Sequence, residues 1–454
     1  MSFGVHPGVK LRGGFEGTET SSAERDPDRN VTILSGDIDD NDANAGGTEI
    51  DDSWSDIRGV NTYNIMWLRG SSDPDTREID GFTITGGDAQ GAAFPANVGA
   101  GLYCNGEGSV CSPVLSNLRF IGNRAVEGGA IYADGWGTGN SSPAVSDSQF
   151  IANNAKNGGA VFCNSELSGN SSPTFTRVRF QQNAAVIGGA LQLNILNGGT
   201  SSSVFVDVLF DSNSADATGG AIYALESSGW NSPTIKNSTF VKNSTALEGG
   251  AIYGENSGAS SNWEIANSTF TSNLVTGGFG GAAEFVSYGT GSENITVNNS
   301  TFSLNVVRAS GQVDDGYGGA ISTVLDDSRG ASASMSIRNS VFWADQADTA
   351  HNEIDNYNVS LTMEDSISSE GCPSGATCAN ISSSDPKLEP LAYHFGFTPV
   401  MRPGIFDSAV NTGNDLTCEK TDQRGFARPQ GAHCDIGAVE FRFPSDDVIY
   451  ADGF

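Results

Sequence analysis

The chain has 454 residues, long enough for two or three ordinary domains, yet 58 of them are Gly and only 37% are apolar, a thin supply for several separate cores. Its 23 Lys and Arg against 54 Asp and Glu leave a formal charge of −31, which repels phosphate backbones and anionic membrane surfaces and argues against nucleic-acid binding. No apolar run approaches the roughly 18 residues of a membrane-spanning helix, and Met1-Ser2-Phe3-Gly4 has neither the basic nor the apolar part of a signal peptide, so any export signal is expected to have been removed or to precede this start.

Residues 1–100 read as irregular entry coils with acidic, Gly-rich turns. Within them Asp37, Asp39, Asn41 and Asp42 have D-x-D-x-N spacing, which brings hard oxygens into one loop as Ca²⁺ requires. Thr48 at the twelfth position excludes an EF-hand, and Glu49, Asp51 and Asp52 extend the set; the alternative is a solvated acidic loop. Ca²⁺ is the one cofactor the sequence suggests. Six of the seven cysteines fall in close pairs, Cys104/Cys111, Cys372/Cys378 and Cys418/Cys434, without zinc-type spacing. Three local disulfides and an oxidising compartment follow, against the alternative of six free thiols in the cytosol. Cys163 is left over.

Residues 101–345 repeat. Phenylalanines recur at Phe120, Phe150, Phe180, Phe210, Phe240, Phe270, Phe302 and Phe342, with an asparagine three residues after each of the first seven: Asn123, Asn153, Asn183, Asn213, Asn243, Asn273 and Asn305. At Phe342 the asparagine is lost. A Gly-Gly doublet follows, beginning at Gly128, Gly158, Gly188, Gly219, Gly249, Gly280 and Gly318. Short β-type runs lie between these marks and nothing has helical period. A period of about 30 residues built of three short strands and turns suits coils stacked by parallel pairing. The expected fold is all-β: a single right-handed parallel β-helix, a pectate-lyase-like solenoid with three strands per coil and a C-terminal cap.

The columns sort by face. The residue five before each phenylalanine is apolar, from Leu115, Val145 and Phe175 to Ile337, and joins the phenylalanines in the core. The asparagines read as an internal ladder at a turn. After the doublets, Ile131, Val161, Leu191, Ile222 and Ile252 point inward, as does Cys163 two residues on from Val161. The opposite parity, Tyr132, Phe162, Gln192, Tyr223, Tyr253 and Glu284, is expected to face solvent. Beside it Trp136 and Trp230 occupy long turns, Asp134-Gly-Trp-Gly and Ser228-Gly-Trp-Asn. Trp136, Trp230, Tyr132, Tyr223 and Tyr253 are therefore the candidate contacts for a polysaccharide or a surface protein, the alternative being that the rings only cover glycine-rich backbone.

Residues 346–384 read as last, irregular coils and residues 385–454 as a cap in which the Cys418/Cys434 bridge, Asp422, Arg424 and Asp435 close the open edge of the helix. The final Ile449-Tyr-Ala-Asp-Gly-Phe454 has the look of a sorting remnant.

Phe240-Val-Lys-Asn243 with Gly249-Gly-Ala-Ile252, repeated across roughly residues 80 to 345, resembles the repeats of chlamydial polymorphic outer-membrane proteins and of bacterial right-handed β-helix repeat proteins more broadly. Thr421-Asp-Gln-Arg-Gly425 with Cys434-Asp-Ile-Gly-Ala-Val-Glu440 is similar to the choice-of-anchor module of secreted bacterial proteins. The resemblance implies an extracellular or outer-surface location. Nothing after residue 345 is long enough for the membrane β-barrel that ends the polymorphic proteins, and relatives carry further strands before the Val9 strand, so a missing natural beginning is expected.

Two functions remain open. One is a non-catalytic, adhesin-like surface protein. The other is a polysaccharide lyase or glycoside hydrolase, for which the repeat body offers scattered charges such as Arg177, Arg179, Lys236 and Glu284 and none of the four histidines.

Overall fold

The computed structural model describes residues 2–43, 50–72, 74–311, 315–405 and 407–442; Glu49 and the tail Ile449–Phe454 lie outside them. The described chain is all-β, with one 3₁₀ turn, Trp54–Asp56. An eleven-stranded sheet runs from Phe3–Gly4 through Ile131–Asp134 to Ile354–Tyr357, and a nine-stranded sheet from Asp88–Ala89 to Gln346–Ala347. The remaining strands form a third sheet of twenty-one segments. Successive coils pair in parallel one repeat apart, Phe120 with Phe150, Phe180 with Phe210 and Ile131 with Val161. Where the doublet spacing lengthens between Gly188 and Gly219, the extra residue is taken up by a register shift between Ala185 and Ile187.

The phenylalanine column is the spine of the core. All eight rings are fully buried and stacked nearly parallel, with centroids 4.5 to 5.0 Å apart. That separation matches the spacing of paired strands, so parallel pairing in register is what brings each ring over the next. The second column, Leu115 to Ile337, is equally buried. Cys163 joins the same core, and burial pushes its thiol up to about 12.

Beside the rings runs the asparagine ladder. Each Nδ2 donates to Oδ1 of the asparagine in the next coil at 2.8 to 3.0 Å. From Asn153 onward it also donates to a phenylalanine carbonyl of the coil before. Oδ1 meanwhile accepts the backbone N–H of the preceding asparagine. The ladder does not stop at Phe342: Asp345 Oδ1 accepts both the N–H and the Nδ2 of Asn305, at 2.7 and 2.8 Å. An acid takes the place of the amide at this last rung.

The two glycines of each doublet have different tasks. The first takes a φ of +59 to +66°, and the second lies so near the following coil that a Cβ on Gly159 would stand 2.1 Å from the Gly189 carbonyl.

All three disulfides form, Cys104–Cys111, Cys372–Cys378 and Cys418–Cys434. The C-terminal segment, expected to close the end of the helix, instead runs back along its side. Gln423 is buried there, its Nε2 donating to Ser238 O and Thr239 Oγ1 and its Oε1 accepting from Thr269 Oγ1. Asn267 donates to Thr421 O, Thr301 Oγ1 accepts from Ala438 N, and Gly437 N donates to Asn339 O at 2.7 Å. The reason lies in a row of left-handed bends, Asn237, Asn267, Asn299 and Asn339, whose polar groups and carbonyls project sideways from the coils and need partners. Asp422 and Arg424 form a buried ion pair, as do Arg428 and Glu440, so the motif residues hold the segment's own shape while Gln423 anchors it.

Candidate functional site

The aromatic column expected at the surface is buried. Tyr132, Tyr223 and Tyr253 are 5, 6 and 7% exposed. Their parity does point away from the central core, but a second layer covers them. Phe94 and Val98 pack against Tyr103 and Tyr132, and Tyr132 stacks on Phe162 at 5.3 Å. Tyr223 stacks on Tyr253 and donates to Glu255 Oε2 at 2.7 Å. Trp136 and Trp230 are exposed, at 39 and 41%, but they do not share a row: Trp230 is in register with Thr200, which pairs with Asn170 and, one coil further, Asn140. The five residues do not form one surface.

The Asp37–Asp42 loop turns its oxygens mainly on its own backbone. Asp37 Oδ2 accepts from Asn41 N and Asp42 N, and Asp39 accepts from Val60 N and Asn41 Nδ2. Among the described residues no three His, Cys, Asp or Glu side chains converge to hold a metal ion.

A cleft of about 1210 Å³ lies instead where the returning C-terminal segment meets the flank of the early coils. Its floor follows from the bends. After the left-handed residues Asn117, Asp147 and Arg177, one residue turns inward (Leu118, Ser148, Val178) and the next outward, which sets Arg119, Gln149 and Arg179 in one parallel row. One wall is the aromatic arc Tyr393, Phe395 and Phe397; the other includes Pro27 and Asp28 of an entry loop. That loop is tied down by Arg25, which pairs with Asp80 and donates to Gly13 O.

Electrostatically the cleft departs from the rest of the chain. Arg119, Arg177 and Arg179 face two acids, Asp28 and Asp147, and both Asp147 oxygens are held by Arg177 at 2.6 and 2.7 Å. The Arg179 guanidinium lies 5.0 Å from the Phe397 ring and 5.9 Å from that of Tyr393. Arg119 Nε is buried without a hydrogen-bond partner. Tyr393 and Phe395 remain 55 and 53% exposed. Flat apolar rings opposite guanidinium and amide donors can stack on sugar rings and bind their hydroxyls or carboxylates. The lining holds no His, Lys or Cys, and with Asp147 engaged it offers no free pair of carboxylates.

Sequence reading passed over Tyr393, Phe395 and Phe397 because they lie outside the repeat. The available signal was density: three aromatic residues in Tyr393-His-Phe-Gly-Phe397, in a chain that is 9% aromatic.

No described helix is long and apolar enough to cross a membrane. No curated protein matches the chain. The model of the Chlamydia polymorphic membrane protein repeat matches residues 117–134, 207–225 and 237–255, each of which holds one F-x-x-N and one G-G-A-I signature. The chain is thus a parallel β-helix in which three coils match the Chlamydia polymorphic membrane protein repeat.

Proposed function

We propose that this protein works outside the cell or on its outer surface and holds an extended glycan, without cleaving it, in the cleft between the Arg119–Gln149–Arg179 row and the Tyr393–Phe397 arc. The observation that carries the reading is the half-exposed pair Tyr393 and Phe395, held over a basic row in a chain of net charge −31. Apolar rings are kept out of the core there while donors stand opposite them. Location is supported by the repeat match and by three disulfides, which persist in oxidising compartments. Uronate-bearing chains suit the arginines best, since guanidinium groups bind carboxylates in a two-pronged manner.

The test is a panel of acidic and neutral polysaccharides scored for retention and for new reducing or unsaturated ends. Retention of acidic chains without new ends is expected. A double Tyr393→Ala, Phe395→Ala variant should lose at least about tenfold in affinity, since two stacking contacts are worth about 1 kcal/mol or more each. A Trp136→Ala, Trp230→Ala variant should bind as the parent does. New chain ends would instead establish the lyase or hydrolase alternative, and retention unaffected by the Tyr393/Phe395 change would move the site elsewhere.

A further inference from the structure

The acidic entry region divides into carboxylates that are satisfied and carboxylates that are not. Asp39 spends both oxygens on Val60 N and Asn41 Nδ2. Asp51 does not: it is only 2% exposed, and its Oδ2 is buried with no hydrogen-bond partner. That oxygen lies within reach of the Asp42 carboxyl. A Cβ built on Gly86 would stand 2.8 Å from Asp51 Oδ2 and 3.2 Å from Asp42 Oδ2. Asn61 closes the same corner, with Nδ2 donating to Asp42 Oδ2 and Gly86 O at 2.6 Å each, and its Oδ1 is also buried and unpartnered.

No cationic side chain forms an ion pair with Asp42 or Asp51 among the described residues. Arg58 donates its backbone N–H to Asp42 Oδ1 but turns its guanidinium onto the carbonyls of Ser55 and Ile57, and Arg124, whose charge is felt at Asp42, is engaged by Asp88 at 2.8 Å. A buried carboxylate beside a half-buried one is costly unless a proton or a cation lies between them.

We propose that Asp42 and Asp51, with Asn61 Oδ1, form a Ca²⁺ site that fastens these two acidic positions to the first coils. All the groups are hard oxygens, with no nitrogen or sulfur ligand, which favours Ca²⁺ over a transition metal. Carbonyl and water oxygens complete a shell that has two carboxylates, so the affinity belongs in the range of about 10⁻⁴ to 10⁻³ M typical of extracellular modules. The fastening follows from the backbone: Asp51 N donates to Thr85 Oγ1, and a Cβ on Gly122 would lie 2.9 Å from the Asp51 Cβ, so Asp51 itself already rests on the regular repeat.

The experiment uses the full chain, dialysed against chelator and titrated with CaCl₂, followed by thermal unfolding and calorimetry. The expected result is heat of binding and a rise of several degrees in Tm, half complete near about 1 mM. Asp51→Asn should abolish both responses while leaving the chelated protein at least as stable, because it removes a buried carboxyl from beside that of Asp42. Asp42→Asn serves the same purpose should the first variant fold poorly, and Asp39→Asn should keep the response. Absence of heat and of a Tm shift at about 10 mM CaCl₂ overturns the proposal. So does a response that survives both Asp51→Asn and Asp42→Asn.

Discussion

A single asparagine in the ladder answers for several hydrogen bonds at once. Asn213 Oδ1 accepts from the N–H and Nδ2 of Asn183, and its Nδ2 donates to Phe180 O and Asn243 Oδ1. All of these groups are shut away from water, so truncation strands donors and acceptors together. At about 1 to 3 kcal/mol for each buried group left unpaired, Asn213→Ala should cost about 3 kcal/mol or more, read as a fall in the urea midpoint. Asn213→Asp would keep the acceptor and lose the donor, which the structure tolerates only at the last rung. There Asp345 sits beside Glu353, and burial with that neighbouring acid holds its pKa well above the usual carboxylate range. The sequence showed this position only as a lost asparagine, because the substitution coincides with the lengthening of the repeat from 32 to 40 residues. The function passed to a residue of the same shape.

At the scale of strands and turns, the corner after the eleven-stranded sheet departs from an apolar core. Ile195, Glu226, Asn256, Ser287 and Leu325 occupy one inward column, so three polar rungs separate two apolar ones. Glu226 and Glu293 are both buried, and desolvation pushes them up to about 7 and about 8, the second also through the charge of the first. An acid that keeps its proton longer when folded stabilises fully below its unfolded value, near 4.5, and loses that contribution as pH climbs through the folded value. Thermal stability should therefore fall between about pH 5 and 8, and Glu293→Gln should flatten that slope, as a series of melting curves would show. The columns that make the fold were legible because spacing alone identifies them. The polarity of this corner was not, since Glu226 differs from Ile195 by type and not by position. Pleat parity misled in the same way at Tyr132, Tyr223 and Tyr253: it tells which face of a sheet a ring leaves by, not whether another layer lies over that face.

For the molecule as a whole, the C-terminal segment is a separate layer held on the coils by side-chain and backbone hydrogen bonds and by the apolar cluster of Val341, Ile367, Ala409 and Ile436. Gln423 makes three of those bonds, to Ser238, Thr239 and Thr269. Gln423→Ala should speed hydrogen exchange in residues 385–440 by about tenfold or more, while the coil amides between 239 and 301 exchange as before. Equal acceleration in both would show that the segment and the coils open as one unit. Neither this docking nor the cleft it completes was legible in the chain, because the contacts join residues up to 185 positions apart that share no period.

The cleft is bounded by two structures that belong to different coils. Pro27 and Asp28 stand near the row of Gly81, and the Tyr393–Phe397 arc near that of Arg179, while the segment behind the arc is fastened further on, from Ser238 to Asn339. Between the two walls lie whole repeats with the same internal ladder and the same stack of rings. Their separation is therefore digital. A duplication or deletion of one repeat between Phe120 and Phe150 would move the walls apart or together by one strand spacing, about 4.8 Å, with the contacts of Arg179 to the arc preserved. A variant with one repeat more or fewer would thus have a cleft of different span, with neither wall redesigned.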